Sequence, residues 1–193
     1  MTPKPPVDEA VVIAFRDAAE FESWLDAHVD LRVGVWLKIA KKGSGVPSLT
    51  GDEAVDIGLC YGWISGQRKS HDEVYYLQKY VPRRPRSRWS QVNVAKVEEL
   101  IAAGRMRPSG LAEVGAAQAD GRWAAAYAPQ RNATVPADLA AALAASPQAA
   151  QAFDALSRTQ RYAVILRLTT ARTTAARAAR LGRAMAALKT RGV

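Results

Sequence analysis

Apolar positions along this chain fall into two spacings, and the change from one to the other divides the sequence. From Val33 to Lys42, Val33, Val35, Leu37 and Ile39 alternate with Gly34, Trp36, Lys38 and Ala40. A period of two predicts a strand with one apolar face. Val11 to Phe15 is a short run rich in β-branched residues and predicts another strand. Between them, Phe21, Trp24 and Leu25 share one helical face over 17–28, opposite the acids Glu20, Glu22 and Asp26. Thr50-Gly-Asp-Glu53 has the spacing of a capping box and predicts a helix from there to about Cys60, with Ala54, Ile57 and Gly58 inward. Trp63–Ile64 and Val74–Tyr80 then predict two strands joined through polar residues 65–73. The order β-α-β-α-β-β predicts an α+β fold with a small mixed or antiparallel sheet.

Beyond residue 90 the period is helical throughout. Ser90 is a suitable N-cap for a helix to about 103 that buries Val94, Val97, Leu100 and Ile101. Pro108 to Asp120 predicts the next helix, ended by Gly121, with Trp123 and Tyr127 as partners one turn apart. Pro136 and Pro147 each suit a first helical position. Ser157-Arg-Thr-Gln160 is a second capping box, and residues 174–189 set Leu181, Met185 and Leu188 opposite Arg177, Arg180 and Arg183. Two domains are therefore expected: 1–104, a sheet domain including an arginine-rich loop, and 105–193, a helical region packed against it. The Pro-rich residues 1–9 are expected to fray.

Composition adds bounds. A hydrophobic fraction of 49% supports a sizeable core. No apolar run approaches the length of a membrane span. The start lacks the apolar core of a secretory signal, and a single cysteine, Cys60, forms no internal disulfide. These features point to a cytoplasmic protein. Charge is uneven: residues 1–62 carry a net −4, 63–110 a net +6 and 111–193 a net +7. Such asymmetry suits a polyanion or an acidic partner, and equally a solvated arginine-rich surface.

The densest charge lies in residues 79–90, where Lys79, Arg83, Arg84, Arg86 and Arg88 stand between Tyr80 and Trp89, and Pro82 and Pro85 exclude helix. Guanidinium groups stay charged and offer forked donors to phosphate or carboxylate oxygens. Arg83, Arg84, Arg86 and Arg88 are the candidate anion ligands, with Trp63 and Trp89 shaping the site. Trp24, Trp36 and Trp123 read as core. Catalytic signals are weak. His28, His71 and Cys60 have no short-range ligand partners, so no metal is expected. His71 beside Asp72 reads as a solvated loop residue and Cys60 as a buried small hydrophobe. No phosphate-loop or dinucleotide fingerprint occurs, and no cofactor is expected.

Residues 48–73 (with Gly62-Trp-Ile-Ser-Gly66), Pro82-Arg-Arg-Pro-Arg-Ser-Arg-Trp-Ser90, Gly104-Arg-Met106, Asp120-Gly-Arg-Trp-Ala-Ala-Ala-Tyr-Ala128 and Leu156-Ser-Arg-Thr-Gln-Arg-Tyr162 together resemble the bacterial family named for bacteriocin protection, the YdeI or OmpD-associated proteins. The resemblance covers nearly the whole chain. Ser65 stands where relatives typically carry Asp, and a hydroxyl there accepts a hydrogen bond from an arginine without neutralising it. The resemblance implies a resistance or stress role rather than a defined reaction. The expected function is a non-enzymatic protein binding an anionic small molecule or polyanion through the Arg/Trp loop. Three alternatives remain open: nucleic-acid binding, an enzyme of a small phosphorylated or carboxylated substrate using Glu53, Asp72 or Glu73, and arginines that only pair with the acidic first third.

Overall fold

The computed structural model describes residues 10–191, so the expected fraying of 1–9 lies outside the described residues. The elements run β1 (Val12–Ile13), α1 (Ala18–Ala27), β2 (Val35–Ala40), α2 (Gly51–Cys60), β3 (Trp63–Ser70), β4 (Tyr75–Pro82), α3 (Gln91–Ala102), α4 (Pro108–Ala119), α5 (Ala137–Ala144), α6 (Pro147–Asp154), α7 (Arg158–Thr169) and α8 (Thr174–Arg191). The fold is α+β, as the pattern predicts. The chain divides into two compact units. One runs to Ser87 and takes in Ala95–Ala116; the other comprises Arg88–Val94 and the chain from Ala117 onward. The boundary expected at residue 104 falls between α3 and α4.

The first unit holds a sheet of order β1-β2-β4-β3, in which β1 and β2 are parallel and the other pairs antiparallel. Val35, Leu37 and Ile39 alternate inward and are fully buried, with Phe21 and Leu25 of α1 and Ala54 and Ile57 of α2. Aromatic rings tie these layers: Phe21 meets Tyr80 edge-on at 6.0 Å, and Trp24 meets Trp63 edge-on at 6.2 Å. Two expectations fail. Val33, assigned to the apolar face, is 51% exposed. Gly34 adopts φ +78°, which breaks the alternation, and the strand starts at Val35. The second is β3, which runs to Ser70 although residues 65–70 are exposed. Its ladder to β4 holds it, from Trp63 opposite Pro82 to Ser70 opposite Tyr76. Only the short connection near Asp72 turns, with the Asp72 carboxylate accepting from the Val74 and Tyr75 amides at 2.8 and 2.7 Å.

The sheet's other face carries Trp36, Lys38, Leu77, Lys79 and Lys69. The Lys69 ammonium lies 4.3 Å and that of Lys79 5.6 Å from the Trp36 ring centre, and Lys38 covers Tyr75 at 4.2 Å. Lysine stems thus shield this face while their heads stay polar, which accounts for the burial of Leu77 at 5% exposure.

Both capping boxes form: Thr50 with Glu53 opens α2, and Ser157 with Gln160 opens α7. Ser90 Oγ accepts from Asn93 N–H at 3.2 Å, capping α3. Ile101 departs from expectation at 44% exposure, while Val97 and Leu100 are buried. In the second unit Leu139, Phe153, Leu156, Ile165, Leu168 and Leu188 form one core. Asp138 and Arg177 join α5 to α8 through two hydrogen bonds of 2.7 and 2.9 Å. Pro136 sits one position before α5 rather than inside it. The Trp123 ring pairs with Trp89, at 4.9 Å and 60°, and the Tyr127 backbone bridges Ser90.

Candidate functional site

Strand β4 delivers the arginine segment. At its end Arg83 N–H donates to Gly62 O at 2.9 Å, which ties the exit to the α2–β3 turn. The next four residues close a β-turn: Ser87 N–H donates to Arg84 O at 2.8 Å, and Arg84 N–H donates to Ser87 Oγ at 3.0 Å. Pro85 occupies the second turn position, where its fixed φ suits the geometry. The backbone's polar groups are thus satisfied locally, and the turn presents Arg84, Pro85 and Arg86 outward, all exposed. Among the described residues no carboxylate pairs with Arg84 or Arg86.

The other candidates sit differently. Arg83 is 6% exposed, so its guanidinium lies within the protein rather than in a solvated loop. Trp63 is 1% exposed and belongs to the aromatic layer beneath the sheet. Arg88 is exposed but belongs, with Trp89, to the second unit. Trp89 is 2% exposed; its ring packs on Trp123, and its carbonyl accepts from Tyr127 N–H at 3.0 Å. Tryptophan rings buried in this way contribute to folding and have no face to offer a ligand. The four similar arginines therefore separate by burial, Arg83 inside and Arg84, Arg86 and Arg88 exposed, while both tryptophans are buried.

The carboxylates considered for acid–base work are used locally. Glu53 Oε2 accepts from the Thr50 amide at 2.9 Å and hydroxyl at 2.7 Å. The two amides on Asp72, that of Tyr75 foremost, hold its carboxyl below the usual range. Glu73 is exposed. His71 stands 3.7 Å from Asp72 on the surface. Burial pushes the Cys60 thiol up, away from the thiolate. Burial and a 2.6 Å hydrogen bond to Asp26 push the Tyr61 phenol up to about 12. Among the described residues no three His, Cys or acidic side chains gather to hold a metal.

A cleft of about 600 Å³ opens where the β2–α2 connection meets β4, lined by Lys41, Lys42, Asp52, Arg68 and Tyr76 among others. Arg68 stacks on Tyr76 there at 3.8 Å. None of Arg83 to Arg88 lines it. This cleft and the lysine–aromatic sheet face escaped the sequence reading. The sheet face draws its residues from three strands with no local motif, and only the antiparallel register brings them together. The cleft is mostly the single run 40–52, and it becomes a cleft only where Arg68 and Tyr76 of the neighbouring strands stand against that run.

A family profile described as a domain of unknown function (DUF8412) matches residues 13–113, just over half of the chain. The chain belongs to that family. A second profile, described as "Bacteriocin-protection, YdeI or OmpD-Associated", matches residues 132–191, in agreement with the motif resemblance. The first match spans the sheet, α3 and the arginine turn; the second spans α5 to α8. No curated protein and no solved structure matches the chain. The hint of a bacteriocin-protection or stress-related role comes from the second profile's description, over residues 132–191, and the first profile carries none. No helix among the described residues is long and apolar enough to cross a membrane.

Proposed function

We propose that this family member is a cytoplasmic, non-enzymatic binding protein whose stress-related role depends on engaging an anion through Arg84 and Arg86. One observation carries this reading: a self-satisfied turn that holds two exposed guanidinium groups with, among the described residues, no carboxylate beside them. Like charges two residues apart repel, and an anion between them relieves the repulsion while accepting forked hydrogen bonds. Arg83 and Trp63 on one side, and Trp89 on the other, act in this reading as anchors that hold the ends of the segment.

The test is the double substitution R84E/R86E, read by retention on immobilised heparin and by cellular stress tolerance. Exposed charge pairs are worth up to about 1 kcal/mol each, so losing both gives up to a roughly 30-fold loss of affinity, to which the new carboxylates add repulsion. Unchanged retention together with unchanged tolerance would end this reading.

A second reading, single-stranded nucleic acid, draws support from the lysine-flanked Trp36 and Tyr75 on the open sheet face. Stacking on a base is worth about 1–3 kcal/mol and a cation–π contact at an exposed site about 0.5–1, so a base would displace the ammonium, which then meets phosphate. In the same assay, oligonucleotide retention lost on Trp36→Ala but kept in R84E/R86E would favour it over the first.

A further inference from the structure

Helices α7 and α8 leave a cavity of about 500 Å³ between them, within the residues matched to the bacteriocin-protection profile. Each helix supplies one face: Gln160, Ala163, Val164 and Arg167 from α7, and Arg180, Arg183, Ala184, Ala187 and Leu188 from α8. These are i, i+3, i+4, i+7 rows, so both helices turn the same continuous stripe toward the gap. Where the stripes face each other the residues are small: Ala163, Ala184 and Ala187 leave the space a leucine would fill. The floor is Leu156 and Leu188, both members of the unit's core, with Val164 packed against that core.

The rim has the opposite character. Arg167, Arg180 and Arg183 line it, and among the described residues no carboxylate does. Arg180 is steadied by donating to the Arg167 carbonyl at 2.7 Å, which leaves donors on its guanidinium to spare. Arg167 and Arg183 are exposed. An apolar floor that reaches the core, under a rim of uncompensated positive charge, has the size and chemistry of a small-molecule site. A bare inorganic anion gains nothing from the floor, and a neutral hydrocarbon gains nothing from the rim.

We infer that this groove binds an amphiphilic anion, an apolar body of medium-chain length ending in a carboxylate or similar head, with the tail on Leu156, Val164 and Leu188 and the head at the arginines. The site is independent of the Arg84–Ser87 turn and extends beyond the function proposed above. Apolar burial supplies most of the affinity here, because exposed arginine contacts contribute only modestly.

The experiment is calorimetric titration of the full chain with octanoate, decanoate and dodecanoate below micelle-forming concentrations, and with decanol. Affinity should rise roughly fourfold for each added methylene. Decanol should bind up to about fivefold more weakly than decanoate for each arginine contact it forgoes. The pair R167Q/R183Q, both exposed and outside the core, should bring decanoate most of the way down to the level of decanol, Arg180 retaining one contact, and leave decanol unchanged. Ala184→Trp should fill the gap and abolish binding of both, with the circular-dichroism melt reporting whether the variant folds. A flat chain-length series, equal affinity for acid and alcohol, or full binding by folded Ala184→Trp would each overturn the inference. So would an acidic amphipathic peptide that binds, and is lost on R167Q/R183Q, while dodecanoate does not.

Discussion

Gly110 and Gly115 lie five residues apart on α4, yet substitution of each should move stability in opposite directions. A methyl group built on Gly110 would stand 2.1 Å from the Cys60 carbonyl oxygen and 2.9 Å from that of Leu59. Both obstacles are backbone at the end of α2, which a rotamer change cannot clear. Gly110→Ala should therefore cost about 3 kcal/mol, at the upper end of overpacking. At Gly115 nothing lies within 4 Å, and Gly115→Ala should add roughly 0.5–1 kcal/mol through helix propensity and lost unfolded-state freedom. Urea melts of the two variants check the sign directly; a neutral Gly110→Ala would show that α4 does not sit this close to α2. The sequence shows two equivalent helical glycines, because the distinction depends on a neighbour fifty residues away. The arginine segment behaves alike. Its density was legible, but the division into buried Arg83 and exposed Arg84 and Arg86 depends on where β4 ends.

Helices of this chain could be placed from sequence because their starts are written locally. Thr50 with Glu53 and Ser157 with Gln160 satisfy the first free amides within four residues, and both boxes form as the spacing predicts. Strand β3 was legible only in its first two residues, since its partners are on β4 and its exposed residues have no periodicity. Links between helices are equally invisible, and the one from α5 to α8 has a testable pH signature. Hydrogen bonds from Arg177 hold the Asp138 carboxyl below its ordinary range. A depressed folded-state value means the stabilisation is present above the ordinary carboxylate range, near pH 4, and fades as pH falls through the lowered value. Asp138→Asn should cost about 1 kcal/mol at pH 7, because the pair is about one-third exposed. Wild type and variant should converge in stability as the pH falls below the ordinary carboxylate range and through the lowered value. A gap that stays constant through that fall would mean the pair contributes through packing alone.

At the scale of the whole molecule, the division of the chain differs from the one its composition suggests. The change from mixed to helical periodicity lies near residue 90, and a cut at 104 falls in the loop after α3. The second compact unit nevertheless begins with Arg88–Val94 and resumes only at Ala117. The reason is Trp89. Its ring is 2% exposed and packs on Trp123, its carbonyl accepts from Tyr127 N–H, and Gln91 N–H donates to Tyr127 O at 2.9 Å. A fragment beginning at 105 would remove that ring and leave both backbone groups of Tyr127 without these partners. Loss of a buried tryptophan alone costs about 3–5 kcal/mol, comparable with much of a small domain's total stability. A fragment of residues 88–193 should therefore unfold cooperatively with a near-ultraviolet tryptophan signal, while 105–193, which keeps Trp123 without its partner ring, should show a much weaker signal and melt broadly. Trp89→Ala in the full chain should reproduce the loss in the second unit without any truncation. Equal melts for the two fragments would show that the helical module is complete without Trp89, and that the tryptophan belongs with the arginine turn after all.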